Sequence, residues 1–419
     1  MSSTFRSLKG YNYRLFAGGA LVSNIGTWMQ RTAQDWLVLT QLTHRNATAV
    51  GIVMALQFGP TLLLLPFSGF AADRFDRRKL LLVTQGALAL LALGLGLLTV
   101  TGQVQLWSVY VFAFLLGCVT AFDAPVRQTF VAELVGDEEL SNAVALNSAS
   151  FNGARMIGPA VAGVLIAAID CGWVFLINAA TFAAVIGSLL MLRVHELHRH
   201  ERASRARASF VEGLRYVWKR PDLMTALIMM FLFSTFGLNF PIFISTMSVT
   251  VFHAGSSQYG LLSSLLACGS VTGALLAAKR ATPHISLLLT GAALFGLGLL
   301  VAALMPNAWG FGLLLIGIGI AAQTFNTTAN ALVQLTTEPA MRGRVVAILL
   351  AIAFGGTPLG APIVGWVADT CGPRWALGIG ASAGFIAAAV GLRYLVKYRD
   401  LRVRFNNGRV KFSIDTPDA

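Results

Sequence analysis

The strongest constraint on how this chain can fold is a rhythm of twelve apolar runs, each of roughly the 20 residues a helix needs to cross a bilayer, parted by short polar breaks. Hydrocarbon offers no water to unpaired backbone groups, so runs of this kind close their hydrogen bonds as helices. The runs fall near 13–42, 47–71, 80–101, 105–126, 140–168, 173–193, 222–251, 257–278, 284–305, 308–332, 341–369 and 374–396. Composition agrees: charged residues make up 12% of the chain, against about 25% in soluble domains. The expected class is an all-α polytopic membrane protein with two six-helix halves, 1–192 and 222–396, a linker at 193–221 and a basic tail at 397–419.

The net charge of +13 reports orientation rather than nucleic-acid binding. With the N-terminus in the cytoplasm and twelve spans, 27 of the 31 Lys and Arg fall on the cytoplasmic side. Arg45 and Arg374 fall outside, and Arg31 and Arg155 fall within spans. That asymmetry is the positive-inside pattern, and it implies contact with anionic lipid on the cytoplasmic face. The opening MSSTFRSLKGYNYRLF leads into a run with no small-residue cleavage site, so it reads as a retained first span. Both termini are then expected in the cytoplasm.

Inside this apolar frame, Asn24 to Asp35 stands out. Asn24, Trp28, Arg31 and Asp35 follow at intervals of four, three and four, which places them on one helical face. Arg31 and Asp35 are one turn apart and can pair. A charge near the bilayer centre costs about 2.5 to 3.5 kcal/mol on insertion scales, so this face turns toward protein or a wet cavity. It is either a structural ion pair locking helices together or a proton or substrate site. Ser148, Asn152, Arg155 and Pro159 repeat the same interval on span five.

The second half repeats the first. At an offset of 202 residues Gly158 and Gly163 meet Gly360 and Gly365, and at 204 Gly69 meets Gly273. Opposite Arg31 and Asp35 stand Thr235 and Asn239, and opposite Arg155 stands Thr357, so the intramembrane charges belong to the first half. Phe233, Phe236, Phe240 and Phe243 run at three-four-three down span seven beside Asn239. They are either helix packing or the apolar wall of a cavity.

Smaller features close other routes. Cys118, Cys171, Cys268 and Cys371 lack metal-ligand spacing; Cys171 and Cys371 fall near outer loops, and free thiols are the expectation. His195, His198 and His200 sit in an Arg-rich linker with no acid or cysteine cluster beside them, which reads as a solvated loop. Phe210, Val211, Leu214, Val217 and Trp218 share a helical face suited to lying on the inner leaflet. In the tail, Val403 and Phe405 alternate toward Val410 and Phe412 around Asn406, Asn407 and Gly408, which are hairpin signals. No nucleotide-binding or HExxH pattern is present, and no nucleophile with a base lies in or beside the spans. No enzyme activity and no cofactor are expected.

GFAADRFDRRK, Gly69 to Lys79, resembles the loop signature of the major facilitator superfamily, with Gly69, Asp73, Arg74, Arg77 and Arg78 matching and Asp76 replacing the usual glycine. The resemblance implies that these residues form a conformational latch, with an acid at the inner end of span four, here Asp123, pairing with the loop's arginine. Span five carries GPxxAG at Gly158, Pro159, Ala162 and Gly163, similar to the signature of the superfamily's antiporters, where small residues allow close approach and proline permits a bend. The resemblance covers about 13–396. Together with NYRLF, FDAPVRQ and MRGRV it points to bacterial exporters that include siderophore and macrolide efflux proteins, and hence to a bacterial inner membrane and a monomer.

What the resemblance implies is a secondary transporter working by alternating access, a proton-coupled exporter whose energy source is the proton gradient. The proton-coupling set is then Asp35 with Arg31 and Arg155. With Asp35 ionised, Arg31, Arg155 and Asp35 sum to +1, which suits neutral or anionic amphiphiles. Asn24, Trp28, Gln34, Gln57, Asn152, Phe236, Asn239 and Phe240 are the candidate substrate contacts. A facilitator or importer on the same fold, or a lipid-handling membrane protein, is the alternative.

Overall fold

The computed structural model describes residues 3–198, 210–278, 284–398, 402–406 and 409–413. Among them ten helices are long and apolar enough to cross a membrane. The difference from twelve runs has two physical sources. The helix α1 (Tyr11–Trp36), extended by a π turn over Leu37–Leu42, is made too polar by its own charged face to count among the ten. The 54-residue α5 (Asp137–Leu190) holds two of the expected runs and turns at Asp170, whose φ is +72°. Asp tolerates that left-handed region better than most residues, and its carboxylate secures the turn by accepting from its neighbour Cys171 N at 2.6 Å and from Gln41 Nε2 at 2.7 Å.

The remaining helices are α2 (Ala47–Arg74), α3 (Arg77–Val100), α4 (Leu106–Leu134), α6 (Phe210–Trp218), α7 (Pro221–Leu232), α8 (Phe240–Thr246), α9 (Ser256–Ala278), α10 (Ile285–Ala303), α11 (Ala308–Thr336), α12 (Pro339–Thr370) and α13 (Pro373–Tyr398). Span seven, expected as one run, is interrupted. A π turn over Phe233–Gly237 ends α7, and the chain opens at Leu238 and Asn239 before α8. Pro241 has no N–H for the carbonyl four residues back, which favours the opening there. Asp76, in place of glycine, serves as the N-cap of α3 and accepts from Lys79 N at 3.0 Å. The turn therefore needs no glycine.

The chain divides into two compact units, one of Met1–Ser204 with Pro241–Ala267 and Ala361–Pro373, the other of Arg205–Phe240, Cys268–Gly360 and Arg374–Ala419. In the first, α1 and α3 pack on α5, and α2 packs on α4. Its core includes Tyr13, Phe16, Leu81, Phe130 and Phe182. Tyr13 keeps its hydroxyl satisfied there by donating to Ala143 O at 2.8 Å.

In the second unit α10 pairs with α11. The aromatic stripe resolves mainly as packing: Phe233 is fully buried, stacked on Phe325 at 4.1 Å between centroids and against Phe295 at 4.3 Å. Phe240 also meets Phe295, edge-on. The expected apolar face of α6 splits. Val217 is buried, while Val211, Leu214 and Trp218 are exposed, and Glu212 pairs with Arg344 at 3.0 Å. The side chain of Phe210 lies outside the described residues.

The tail forms the ribbon its alternation predicts, β1 (Arg402–Asn406) antiparallel to β2 (Arg409–Ser413). The four cysteines are free. Among the described residues no cluster suited to a metal ion occurs; His200 lies outside them.

Candidate functional site

The first unit holds an open cavity of about 580 Å³ walled by α1, α3, α4 and α5. From α1 come Asn24, Thr27, Gln30, Arg31 and Gln34; from α4, Asp123 and Arg127; from α5, Asn147, Ser148 and Asn152. A helix that presents polar groups at three- and four-residue spacing lines a cavity with one face and packs with the other. Beside the cavity α1 meets α5 tightly. A Cβ at Gly26 would lie 2.3 Å from Asn178 Oδ1, and one at Gly158 only 2.5 Å from Trp28 Cβ.

The charged face of α1 does not form the direct ion pair its spacing allows. No nitrogen of Arg31 or Arg155 comes within 4.0 Å of an Asp35 oxygen. Arg31 instead lies over Trp28, 5.0 Å from the ring centroid, and faces Phe58 at 5.7 Å. Arg155 approaches the same indole at 5.7 Å. Two guanidiniums thus share one aromatic ring, whose quadrupole favours each while their charges repel. Arg31, not Arg155, is the cation in electrostatic contact with Asp35.

Asp35 is buried, 8% exposed, and its hydrogen-bond partner is Tyr259, whose hydroxyl donates to Oδ2 at 3.4 Å. Tyr259 also stacks on Trp36, 5.7 Å between centroids. It sits on the part of α9 that packs in the first unit, beside Gly260. There the signature of span five makes its closest crossing: a Cβ at Gly163 would lie 2.6 Å from Ser256 O, and one at Gly260 would lie 2.2 Å from Pro159 O. Ser256 and Ser257 both donate to Gly163 O, at 3.1 and 3.3 Å. Gly158, Pro159 and Gly163 thus lie at close contacts, and within α5 only Asp170 leaves helical φ/ψ.

Asp123 takes a different place from the one its resemblance implies. Arg77 pairs with Glu133 at 2.7 Å. Asp123 is buried on the cavity side, accepting from Thr84 Oγ1 at 2.7 Å, Gln85 Nε2 at 2.6 Å and Arg127 at 3.1 Å. Arg127 also reaches Asn24 Oδ1 at 3.1 Å. The reason is helix length: α4 runs to Leu134, so Asp123 sits three turns inside its end and Glu133 is the acid that meets the loop. Arg78 donates to Leu189 O and Leu190 O, satisfying carbonyls that the last turn of α5 leaves open. Arg74 lies over Phe70 at 5.6 Å, a Cβ at Gly69 would meet open space, and the side chain of Asp73 lies outside the described residues. A double-mutant cycle on Arg77 and Glu133, read by thermal unfolding in detergent, is expected to give about 1 kcal/mol of coupling; a cycle of Arg77 with Asp123 is expected to give none.

The other named residues separate. Gln57 is buried on α2, away from the cavity lining. In the second unit Asn239 is fully buried and donates to Thr235 O at 2.8 Å, Phe240 is buried, and Phe236 is half-buried. Sequence reasoning missed Tyr259, Arg127, Thr84, Gln85 and the pair of Gln30 with Asn178, joined at 2.5 Å. Only Arg127 carried a local signal, its i+4 spacing from Asp123.

The sequence profile described as transmembrane secretion effector, a major facilitator class, matches residues 2–416. A staphyloferrin A transporter of Staphylococcus aureus is 26% identical, covering 86% of this chain and 90% of that protein. The multidrug efflux pump Tap of Mycolicibacterium fortuitum is 28% identical, covering 85% and 89%. Among solved structures, a bacterial homologue of the human lysosomal transporter Spinster superposes with a TM-score of 0.71 at 14% identity, covering 91% of this chain and 97% of that one; that likeness concerns the fold alone. The chain is a multi-pass membrane transporter, and it belongs to the transmembrane secretion effector family of the major facilitator superfamily.

Proposed function

We propose that this chain is a proton-coupled exporter that moves small neutral or anionic amphiphiles by alternating access across a bacterial inner membrane, with both termini in the cytoplasm. The observation that carries the proton-coupling part is the setting of Asp35: a buried carboxylate without a direct ion pair, hydrogen-bonded to Tyr259. Protonation removes the charge that Tyr259 and Arg31 favour. The acid can then release α9 from α1, which links proton binding to the crossing of Gly163 and Gly260. The residues of the loop signature act as a latch, with Arg77 held by Glu133.

The cargo class follows from the cavity's charges. Among the lining residues Asp123 and Arg127 cancel, so the cavity wall keeps the +1 of Arg31. Arg31 Nε and Gln34 Nε2 are buried donors with no hydrogen-bond partner, and unpaired buried donors favour a ligand that brings acceptor oxygens. Asn24 and Asn152 supply further polar contact, and Trp28, outside the lining, carries Arg31 over its ring. Similarity to a multidrug efflux pump and a staphyloferrin A transporter agrees with export of organic molecules.

The test is accumulation of a labelled panel of neutral, anionic and cationic compounds in efflux-depleted cells, with and without a protonophore. Expected is protonophore-sensitive exclusion of neutral or anionic members. Exclusion dominated by quaternary ammonium dyes would remove the cargo assignment. Uptake that follows the cargo gradient and ignores the protonophore would place the chain among facilitators.

A further inference from the structure

The loop signature has an echo at the far end of the chain. GFAADRFDRRK begins at Gly69, and at an offset of 296 residues GWVADTCGPRW begins at Gly365. Gly69, Ala72, Asp73 and Arg78 meet Gly365, Ala368, Asp369 and Arg374, and the glycine that Asp76 replaces in the first copy is present in the second as Gly372. Each copy runs off the C-terminal end of a spanning helix, α2 in one case and α12 in the other.

The second copy makes a defined contact within the first unit. Asp369 Oδ1 accepts from Ala47 N at 2.7 Å, and Oδ2 accepts from Thr48 N at 2.8 Å and Thr48 Oγ1 at 2.5 Å. Ala47 and Thr48 are the first residues of α2, whose N–H groups have no partner within the helix, and a carboxylate is favoured there by the helix dipole. Asn46 caps Ala49 N, so Asn46 and Asp369 divide the open donors between them. One turn back along α12 the glycine of the echo makes the close approach: a Cβ at Gly365 would lie 2.5 Å from Ala47 O, and one at Gly51 would lie 2.4 Å from Ala361 O. Glycine brings the backbones together, and the acid four residues on ties them. Gly372, at φ +103°, turns the chain away after the contact.

We propose that Gly365, Asp369 and Gly372 form a second latch of the transport cycle. It clasps α12 to the start of α2 at the opposite end of α2 from the loop signature, and it releases when that end opens. In a working transporter a clasp of this kind is made in one state and broken in the other. Three charge-assisted hydrogen bonds with no covalent link suit that, because α2 keeps Asn46 as its own cap when Asp369 leaves.

The experiment places spin labels at Cys371 and at Arg45→Cys, with Cys118, Cys171 and Cys268 replaced, and measures their distance distribution in nanodiscs. Wild type is expected to show a dominant short population. Asp369→Ala is expected to raise a long-distance population by about fivefold, the effect of losing one capping side chain, and Thr48→Val less. Identical distributions in wild type and Asp369→Ala overturn the proposal. Where Asp369→Ala fails to insert, Thr48→Val and a disulfide between Thr48→Cys and Asp369→Cys decide: a cross-linked protein that still transports as the reduced one does overturns it too.

Discussion

Asp35→Asn is expected to abolish protonophore-sensitive exclusion of whichever panel compounds wild type keeps out, lowering their exclusion by roughly tenfold or more. The magnitude follows from a hydrogen bond to an ionised group, worth about 1.5 to 3 kcal/mol, which the amide keeps only as a neutral contact that no longer changes with proton binding. The carboxylate stands 3.4 Å from the hydroxyl of Tyr259. Tyr259→Phe is the informative companion: it keeps the ring on Trp36 and deletes only the hydroxyl. Exclusion that survives in Tyr259→Phe but shifts its pH profile supports transmission through this contact. Asp35→Asn behaving as wild type would make the acid structural and move the coupling elsewhere.

The other large effect is expected at Gly163. A leucine there would drive carbon into Ser256 O, 2.6 Å from even an ideal Cβ. Backbone cannot swing aside as a flexible side chain can, and overpacking of this sort costs about 1 to 3 kcal/mol. Gly163→Leu is expected to insert and to fail in transport, since the crossing of α5 with α9 no longer closes. Gly163→Ala should retain part of the activity. The measurement is panel exclusion normalised to the amount of monodisperse protein recovered in detergent. Full activity in Gly163→Leu would mean that the glycine crossing is not part of the cycle.

Much of the candidate site was legible from spacing. The face of Asn24, Trp28 and Arg31 is a local property of one helix, and the structure brings Arg31 and Arg155 to the same indole. What spacing offered beyond that was a possibility of contact. Arg31 and Asp35 are one turn apart, yet the arginine turns to aromatic rings and the acid to a tyrosine 224 residues away. A helical interval says which side chains share a face and leaves open which way each long side chain extends.

The amino-acid sequence by itself determined the membrane-spanning helical class, the repeat of the second half on the first and the concentration of charge in the first half. Run length, residue type and periodicity are properties of the chain that a bilayer acts on directly. Tertiary structure alone decided the rest: that Glu133, not Asp123, meets Arg77, that Tyr259 is the partner of Asp35, and that Asp369 caps α2. Each depends on where a helix ends and which distant helix crosses it, and both are set by packing between segments far apart in sequence.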